Sequence, residues 1–331
     1  MLLLMVTAVG IISFSAIDES DMVVTPNHTG TESGDETITV FAVDTSNSTP
    51  NNLITSTIET DVKKPSITTE KTPETTQKTP QSTSKYPTVS VYINDKLLTN
   101  ENYFINNGVY VELESFVNVV DQGTYKISGK TATVKTPTMD MTIKADSNYI
   151  EANGRYLYSG IKTLLLDGEF YLPYRLLAKA YGMEVKWVSS KMQAYMTGKP
   201  VAIEKGASFY KSDDVYWLSR IIHAESGGEP LKGKIAVGNV VLNRVKNKNY
   251  PNTIYGVIFD KKYGTQFSPV SYGTIYNTPS SESIIAAKIC LDGYSLNEEM
   301  IYFINPKIAT NFWITEKCTY VMKIGNHSFY K

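Results

Sequence analysis

The stretch LSRIIHAESGGEP (218–230) holds the residue best suited to chemistry. Glu225 closes an apolar helical run and is followed at once by Ser226-Gly227-Gly228, where the helix ends and a loop opens. A carboxyl in that position can be half-buried against apolar walls with its tip toward a cleft. Burial raises its pKa and keeps it protonated near neutral pH. A protonated carboxyl is what cleavage of a glycosidic bond requires, because the leaving oxygen must receive a proton. Spacing alone does not separate this reading from that of a solvated Glu at a helix end, and both stand at this level. Glu229, before Pro230, and Asp260 are the candidates for the second carboxylate that simple hydrolysis would use. His223 and His327 raise the question of a metal. His223-Ala224-Glu225 has the HxE of a zinc deaminase, but the PCxxC half is absent. A catalytic zinc takes about three protein ligands, and two His with scattered acids fall short of that. The expectation is no metal and no cofactor.

The elements that must position Glu225 are helices. Ser212-Asp213-Asp214 reads as an N-cap with acidic first-turn company, and Val215, Leu218, Ile221 and Ile222 follow at helical spacing to about Ala224. A second helix is predicted from Leu231 to about Arg244, with Ile235, Val237, Val240, Val241 and Val245 apolar, and a third from Ser281 to about Leu291. The rest of 210–331 is aromatic, loop-rich and short-stranded. A mainly helical domain of this length is large enough for its own core.

This C-terminal segment resembles the SleB/CwlJ family of cell-wall hydrolases, best known as spore cortex-lytic enzymes. The resemblance rests on HAESGGEP, GKIAVGNVVLNRV (233–245), QFSPV (266–270), AAKICLDG (286–293), MIYFINP (300–306), Phe312-Trp313 and IGNHSFYK (324–331), in family order. It implies a lysozyme-like, goose-type helical fold that cuts the β-1,4 bond between N-acetylmuramic acid and N-acetylglucosamine, with the family's single catalytic Glu at Glu225. It also implies a lytic transglycosylase route, in which Glu225 first acts as acid and then takes the proton of the muramic C6 hydroxyl, giving a 1,6-anhydro end. By the same analogy Gln266, Phe267, Tyr302, Asn305, Trp313 and His327 contact the sugars. Against this stand bland readings: Phe267, Phe303 and Trp313 as core aromatics, and Asn305-Pro306 as a turn. Two other functions remain open, an amidase cutting the muramoyl–alanine bond and a catalytically silent wall-binding protein.

Upstream, residues 88–198 are rich in Val, Ile, Tyr and Thr with Gly/Asn/Asp punctuation, and VSVYIN (89–94) alternates as a strand does. Asn107-Gly108 precedes VYVEL and an apolar helix-like run, and Asp167-Gly168 precedes FYLPY and another. Each half reads as hairpin turn, short strand and amphipathic helix, so two α+β units are expected to pack as one domain. The pair GVYVELESFVNVV and GEFYLPYRLLAKAYGMEVKW resembles the copper amine oxidase N-terminal-like domain. The segment has no His and no Cys, so copper binding is not implied. The resemblance implies wall attachment or spacing. Residues 197–210 read as a connector to the helical domain.

Residues 17–87 are dominated by Thr, Ser, Pro, Asn and charged residues, a composition that buries too little apolar surface to offset ordering entropy, and they are expected to form a disordered linker. The apolar run at 1–16 has the length of a signal-peptide core, or of an anchor, but no Lys or Arg precedes it. An extracellular protein of the cell wall or spore envelope is the resulting expectation, with peptidoglycan as partner. Among 331 residues the formal net charge is −1, which argues against a nucleic-acid partner. Cys290 and Cys318 read equally well as a pair or as two small apolar residues. The fold class expected is therefore multidomain: a disordered Thr/Ser/Pro-rich linker, an α+β repeat domain, and a mainly helical, lysozyme-like C-terminal domain.

Overall fold

A computed structural model describes residues 85–262 and 264–331. The expected signal or anchor, and all but the last residues of the expected linker, lie outside the described residues.

The first strands are β1 (Thr88–Ile93), β2 (Lys96–Leu97), β3 (Asn102–Ile105) and β4 (Gly108–Glu112), followed by helix α1 (Leu113–Val120). A meander then runs through β5 (Thr124–Ser128), β6 (Thr131–Lys135), β7 (Asp140–Lys144), β8 (Tyr149–Ala152) and β9 (Arg155–Tyr158), which form a separate five-stranded sheet. The chain returns through β10 (Leu164–Leu166), β11 (Glu169–Pro173), helix α2 (Tyr174–Ala180), β12 (Glu184–Val188) and β13 (Gln193–Thr197). These strands complete an eight-stranded sheet ordered β10-β11-β4-β3-β1-β13-β12, with β2 hanging on β1. The internal repeat is visible here. The hairpin β3-β4 leads into α1 and the hairpin β10-β11 into α2, and β4 and β11 lie side by side, antiparallel, with Leu172 opposite Val111. In β1 the alternation of VSVYI places Val89, Val91 and Ile93 in the core. Leu113, Phe116 and Val117 of α1 and Leu176 and Leu177 of α2 pack into the same core.

The turns explain the Asn/Asp/Gly punctuation. Asp167 and Gly168 both have positive φ, the pattern of a two-residue type I′ hairpin. In the first repeat that turn is made by Asn106 and Asn107, and Gly108 is already the first residue of β4. Gly108 has a different reason to be glycine: a Cβ there would come within 2.7 Å of Ile161 Cδ1.

The C-terminal part holds α3 (Gly206–Phe209), α4 (Ser212–Ser226), α5 (Leu231–Lys246), α6 (Ile254–Ile258), α7 (Ser268–Tyr272), α8 (Ser281–Leu291), β14 (Tyr302–Ile304), α9 (Trp313–Lys317), β15 (Tyr320–Ile324) and β16 (His327–Tyr330). The three helices expected from periodicity correspond to α4, α5 and α8. Ser212 is the first helical residue of α4 and not its cap; Asp213 and Asp214 face the positive end of the helix dipole in the first turn. Ser280 caps α8 by accepting a hydrogen bond from Ser283 N at 3.2 Å. α5 is buried over the whole run Gly233–Val241 because α4, α6, α8 and β15 surround it. Its approach to α4 and α8 depends on Gly238, where a Cβ would lie 2.7 Å from both Cys290 Sγ and Ile222 Cδ1. Leu218, Ile221 and Ile222 hold α4 against α5, and each fully buried side chain of that size contributes about 1.5–3 kcal/mol. Cys290 and Cys318 are both free thiols. Among the described residues no helix is long and apolar enough to cross a membrane.

Residues 197–210, expected as a connector, are bound along their length. Val201 N donates to Tyr181 O at 2.9 Å, Ile203 N to Ala180 O at 3.0 Å, and Gly206 N to Asn153 O at 2.8 Å. The segment thus closes over the β-rich part and delivers the chain to α4. The β-rich and helical parts also share a polar centre. Asp292, just past α8, receives Arg155 Nε at 2.9 Å and Arg155 Nη2 at 2.5 Å, and the Tyr210 hydroxyl donates to its other oxygen. Tyr158 of β9 is buried within the helical part's core, edge-on to Tyr294 at 4.5 Å.

Candidate active site

The last turn of α4 carries Glu225 into an open cleft about 680 Å³ in volume. Its floor is the α4–α5 junction, His223 to Glu229. One wall is Ser268, Pro269 and Tyr272 of α7; the other is Phe303 and Ile304 of β14, Asn305 just after it, the loop 308–311, and His327. Neither Gly227 nor Gly228 takes a left-handed conformation; Gly227 continues in helical geometry. At Gly227 a Cβ would come within 2.7 Å of His223 O, whereas at Gly228 it would meet nothing within 4 Å.

Part of the Glu225 residue is accessible, but one of its carboxyl oxygens is not. Oε1 is out of contact with solvent and has no hydrogen-bond partner among the described residues. Burial alone pushes the carboxyl up from 4.5 to about 7. The group is therefore about half protonated at neutral pH, and the protonated form is placed to give a proton to a ligand in the cleft.

Glu229 is the one other carboxyl lining this cleft among the described residues, and it is in the opposite state. Burial works to raise its pKa, but Asn326 donates to it twice, from N at 3.1 Å and from Nδ2 at 2.9 Å. With His327 and Lys234 nearby, the carboxyl is held below its ordinary value. The β15–β16 turn is built around this pair: Gly325 has φ +57°, and a Cβ on it would overlap Glu229 Oε2. His327 Nδ1 lies 3.9 Å from Glu229 Oε1, yet burial lowers the imidazole's pKa and favours the neutral ring. Lys234, itself buried, donates to Glu229 O and to Glu282 Oε2, so the α4–α5 junction is held from below.

Of the other residues singled out in the sequence, Asn305 and His327 line the cleft. Asn305 also closes its own turn, its side-chain oxygen accepting from Lys307 N at 3.1 Å. Phe267, expected to line the groove, does not: its side chain is wholly buried in the helical core. Gln266 is likewise turned away, accepting from Arg244 Nη2 at 3.2 Å and donating to Gly264 O. The reason is Arg244, a fully buried guanidinium that draws in Gln266 and the faces of Tyr250 and Phe267. Tyr302 and Trp313 pack edge to face at 5.1 Å, against the core and away from the cleft lining. Asp260 accepts from Lys262 N and does not line the cleft. Sequence reasoning missed Ser268, Tyr272 and the 308–311 loop; Tyr272, with 76% of its surface exposed, carried no periodic signal that separates it from a surface aromatic.

Comparison with known proteins gives two family matches. Residues 228–330 match the family described as Cell Wall Hydrolase, and residues 91–196 the Copper amine oxidase N-terminal domain. The first match begins just past Glu225. A spore cortex-lytic enzyme of Bacillus cereus is 28% identical over 216 residues, covering 55% of this chain and 82% of that enzyme. The Bacillus subtilis spore cortex-lytic enzyme is 32% identical over 120 residues, which is 36% of this chain and 38% of that one. Among solved structures, the catalytic domain of the germination-specific lytic transglycosylase SleB from Bacillus anthracis is 35% identical, covering 39% of this chain and all of that domain, with a TM-score of 0.34. The catalytic domain of Bacillus cereus SleB is 36% identical, covering 37% of this chain and 92% of that domain, also at 0.34.

Proposed function

Because this chain belongs to the cell wall hydrolase family, we propose that it cleaves the glycan strands of peptidoglycan between N-acetylmuramic acid and N-acetylglucosamine, as a lytic transglycosylase of the spore cortex. The observation that carries the reading is the state of Glu225: a carboxyl with a buried, unpartnered Oε1 and a pKa raised by burial to about 7, at the floor of an open cleft. Glu225 gives its proton to the glycosidic oxygen as the C1–O bond breaks, and positive charge develops on the muramic ring. The carboxylate left behind accepts the proton of the same sugar's C6 hydroxyl. That oxygen bonds to C1 and closes a 1,6-anhydro ring, so the two proton transfers restore Glu225.

The condition of Glu229 favours this route over hydrolysis. A hydrolytic partner must present a free carboxylate oxygen to a water. Both Glu229 oxygens are engaged by Asn326, which makes Glu229 a holder of the β15–β16 turn and of His327. The packing of α4, α5 and α8 with the acid at the end of the first suits the goose-type lysozyme-like arrangement. Asn305, Tyr272 and His327 are the cleft residues with polar groups to offer the sugars. Action outside the cytoplasm, and wall attachment through the β-rich domain, belong to the same proposal.

The test uses the intact chain, since Tyr158 is buried in the helical domain's core and Arg155 pairs with Asp292. It is incubated with spore cortex and with vegetative peptidoglycan, and the products are identified by mass spectrometry. Anhydromuramic ends from cortex, absent with Glu225→Gln, are expected. Reducing ends would replace transglycosylation by hydrolysis. Freed alanine amines with intact glycan would overturn the assignment of Glu225.

A further inference from the structure

A ridge of aromatic rings leads away from the cleft along α4. Tyr216, Arg220 and His223 follow one another at i, i+4 and i+7, so they share one face of the helix, and His223 opens into the cleft. Beside them Trp217 meets four rings edge-on: Tyr216 at 4.9 Å, Phe259 at 5.0 Å, Tyr255 at 5.4 Å and Tyr276 at 6.3 Å. Trp217 and Phe259 are the half-buried base of this group, whereas Tyr216, Tyr255 and Tyr276 expose 45%, 53% and 60% of their surface. The ridge is continuous with the cleft. Tyr272, on the cleft wall, ends α7, and the next turn of chain (274–276) lies against α4 and carries Tyr276.

Rings held edge to edge with their outer surfaces in water are unusual where nothing binds, since clustered exposed apolar area marks an interaction surface. The polar feature within the ridge points the same way. Arg220 lies over the Tyr216 ring at 3.8 Å, and its buried Nε has no acceptor among the described residues. A ready-made partner therefore presents flat C–H faces for the tyrosines and an anionic oxygen for the guanidinium. A polymer of pyranose rings bearing carboxylated substituents has both.

We propose that this ridge is a distal binding site for the glycan strand, several sugars away from the bond that is cut. The proposal rests on the reading of Glu225 as the acid of a glycan-cleaving cleft and extends it. Stacking on Tyr216 and Tyr276 holds the strand by its neutral faces, and Arg220 takes a carboxylate of a stem peptide. Retention of the strand after each cut favours repeated cleavage of one chain over random attack.

The experiment uses the intact chain with Tyr216→Ala and Tyr276→Ala, singly and together, and with Arg220→Gln. Binding is measured by co-sedimentation with insoluble cortex peptidoglycan in a Glu225→Gln background. Cleavage is measured with active Glu225 on polymer and on a soluble tetrasaccharide. The double Tyr variant is expected to bind polymer about tenfold more weakly and to lose a similar factor in kcat/KM on polymer, with tetrasaccharide cleavage unchanged. The corresponding Trp replacements, which keep a ring at both positions, are expected to restore binding. Arg220→Gln is expected to weaken binding to peptide-bearing strands and not to strands stripped of peptide. Polymer binding equal to that of the parent overturns the proposal. So does an equal loss on polymer and tetrasaccharide, and so does a change from dimer to monomer in ultracentrifugation without any change in polymer binding, which would make the ridge a contact between copies. If the parent chain cuts no glycan at all, the reading of Glu225 fails, and co-sedimentation still decides the ridge.

Discussion

Replacing Glu225 by Gln is expected to remove activity and to stabilise the protein at alkaline pH. The carboxyl has an ordinary value of 4.5 in the unfolded chain and about 7 in the fold, shifted upward by burial. The folded state therefore binds more protons than the unfolded state between these values, and stability falls as pH rises through that window. Below about pH 4 both states are protonated and the residue carries no penalty. Above about pH 8 the full shift is felt, equivalent to about 3 kcal/mol at 1.36 kcal/mol per pH unit. Gln is neutral throughout and close in shape. The parent and Glu225→Gln are thus expected to have similar stability at pH 4, and the variant is expected to gain up to about 3 kcal/mol by pH 8. Chemical denaturation followed by Trp fluorescence at several pH values measures the difference, and far-ultraviolet circular dichroism checks that both chains fold alike. Parallel stability curves across the range would show that Glu225 is ionised and solvated in the fold, and the general-acid assignment would lose its physical basis.

The same shift sets a kinetic expectation: kcat/KM on polymer declines as pH rises through about 7 with the slope of one proton, because only the protonated acid starts the reaction. Arg155→Ala leaves Asp292 buried, with its side chain only 1% exposed, and without its guanidinium; a loss of about 3 kcal/mol is expected in denaturation, partly recovered when Asp292 is changed to Asn in the same chain. Gly325→Ala forces a Cβ into the left-handed region and onto Glu229, so a loss of at least about 1–2 kcal/mol is expected, seen as a lower Tm together with weakened activity as His327 and Asn326 move. Gly238→Ala is expected to push α5 away from α4 at Ile222 and from α8 at Cys290, lowering Tm while leaving the pH at which activity declines unchanged, since no contact of the Glu225 carboxyl is altered.

The helices around Glu225 were legible because their signals are local. Apolar spacing near 3.6, a Ser before α8 and a break at Ser226-Gly227-Gly228 are all read within a few residues. Asp167-Gly168 was legible for the same reason, and the first repeat differed by one residue because Asn106 and Asn107 both tolerate positive φ. What sequence did not yield depends on distant partners. Phe267 and Tyr272 are both aromatic, five positions apart, and only Arg244, more than twenty residues earlier, decides that Phe267 turns inward. Gln266 follows the same guanidinium. Glu229 reads as a loop acid until Asn326, nearly a hundred residues later, takes both of its oxygens. The strands of the meander were readable singly, but nothing local in Tyr158 says that its ring belongs to the next domain's core and not to its own sheet.

The shared centre at Asp292 bears on how such proteins can be recombined. Two family boundaries, at residues 196 and 228, mark where ancestry can be recognised, but neither is a place where this chain can be divided without cost. A gene fragment starting at α4 would encode a helical domain with an unmatched buried carboxylate and a hole where Tyr158 sat. A shuffled homologue would have to bring a compatible arginine and tyrosine on its own meander. In this chain the two domains are coupled through that centre, and substitutions at Arg155, Tyr158, Tyr210 and Asp292 are expected to travel together through its descendants.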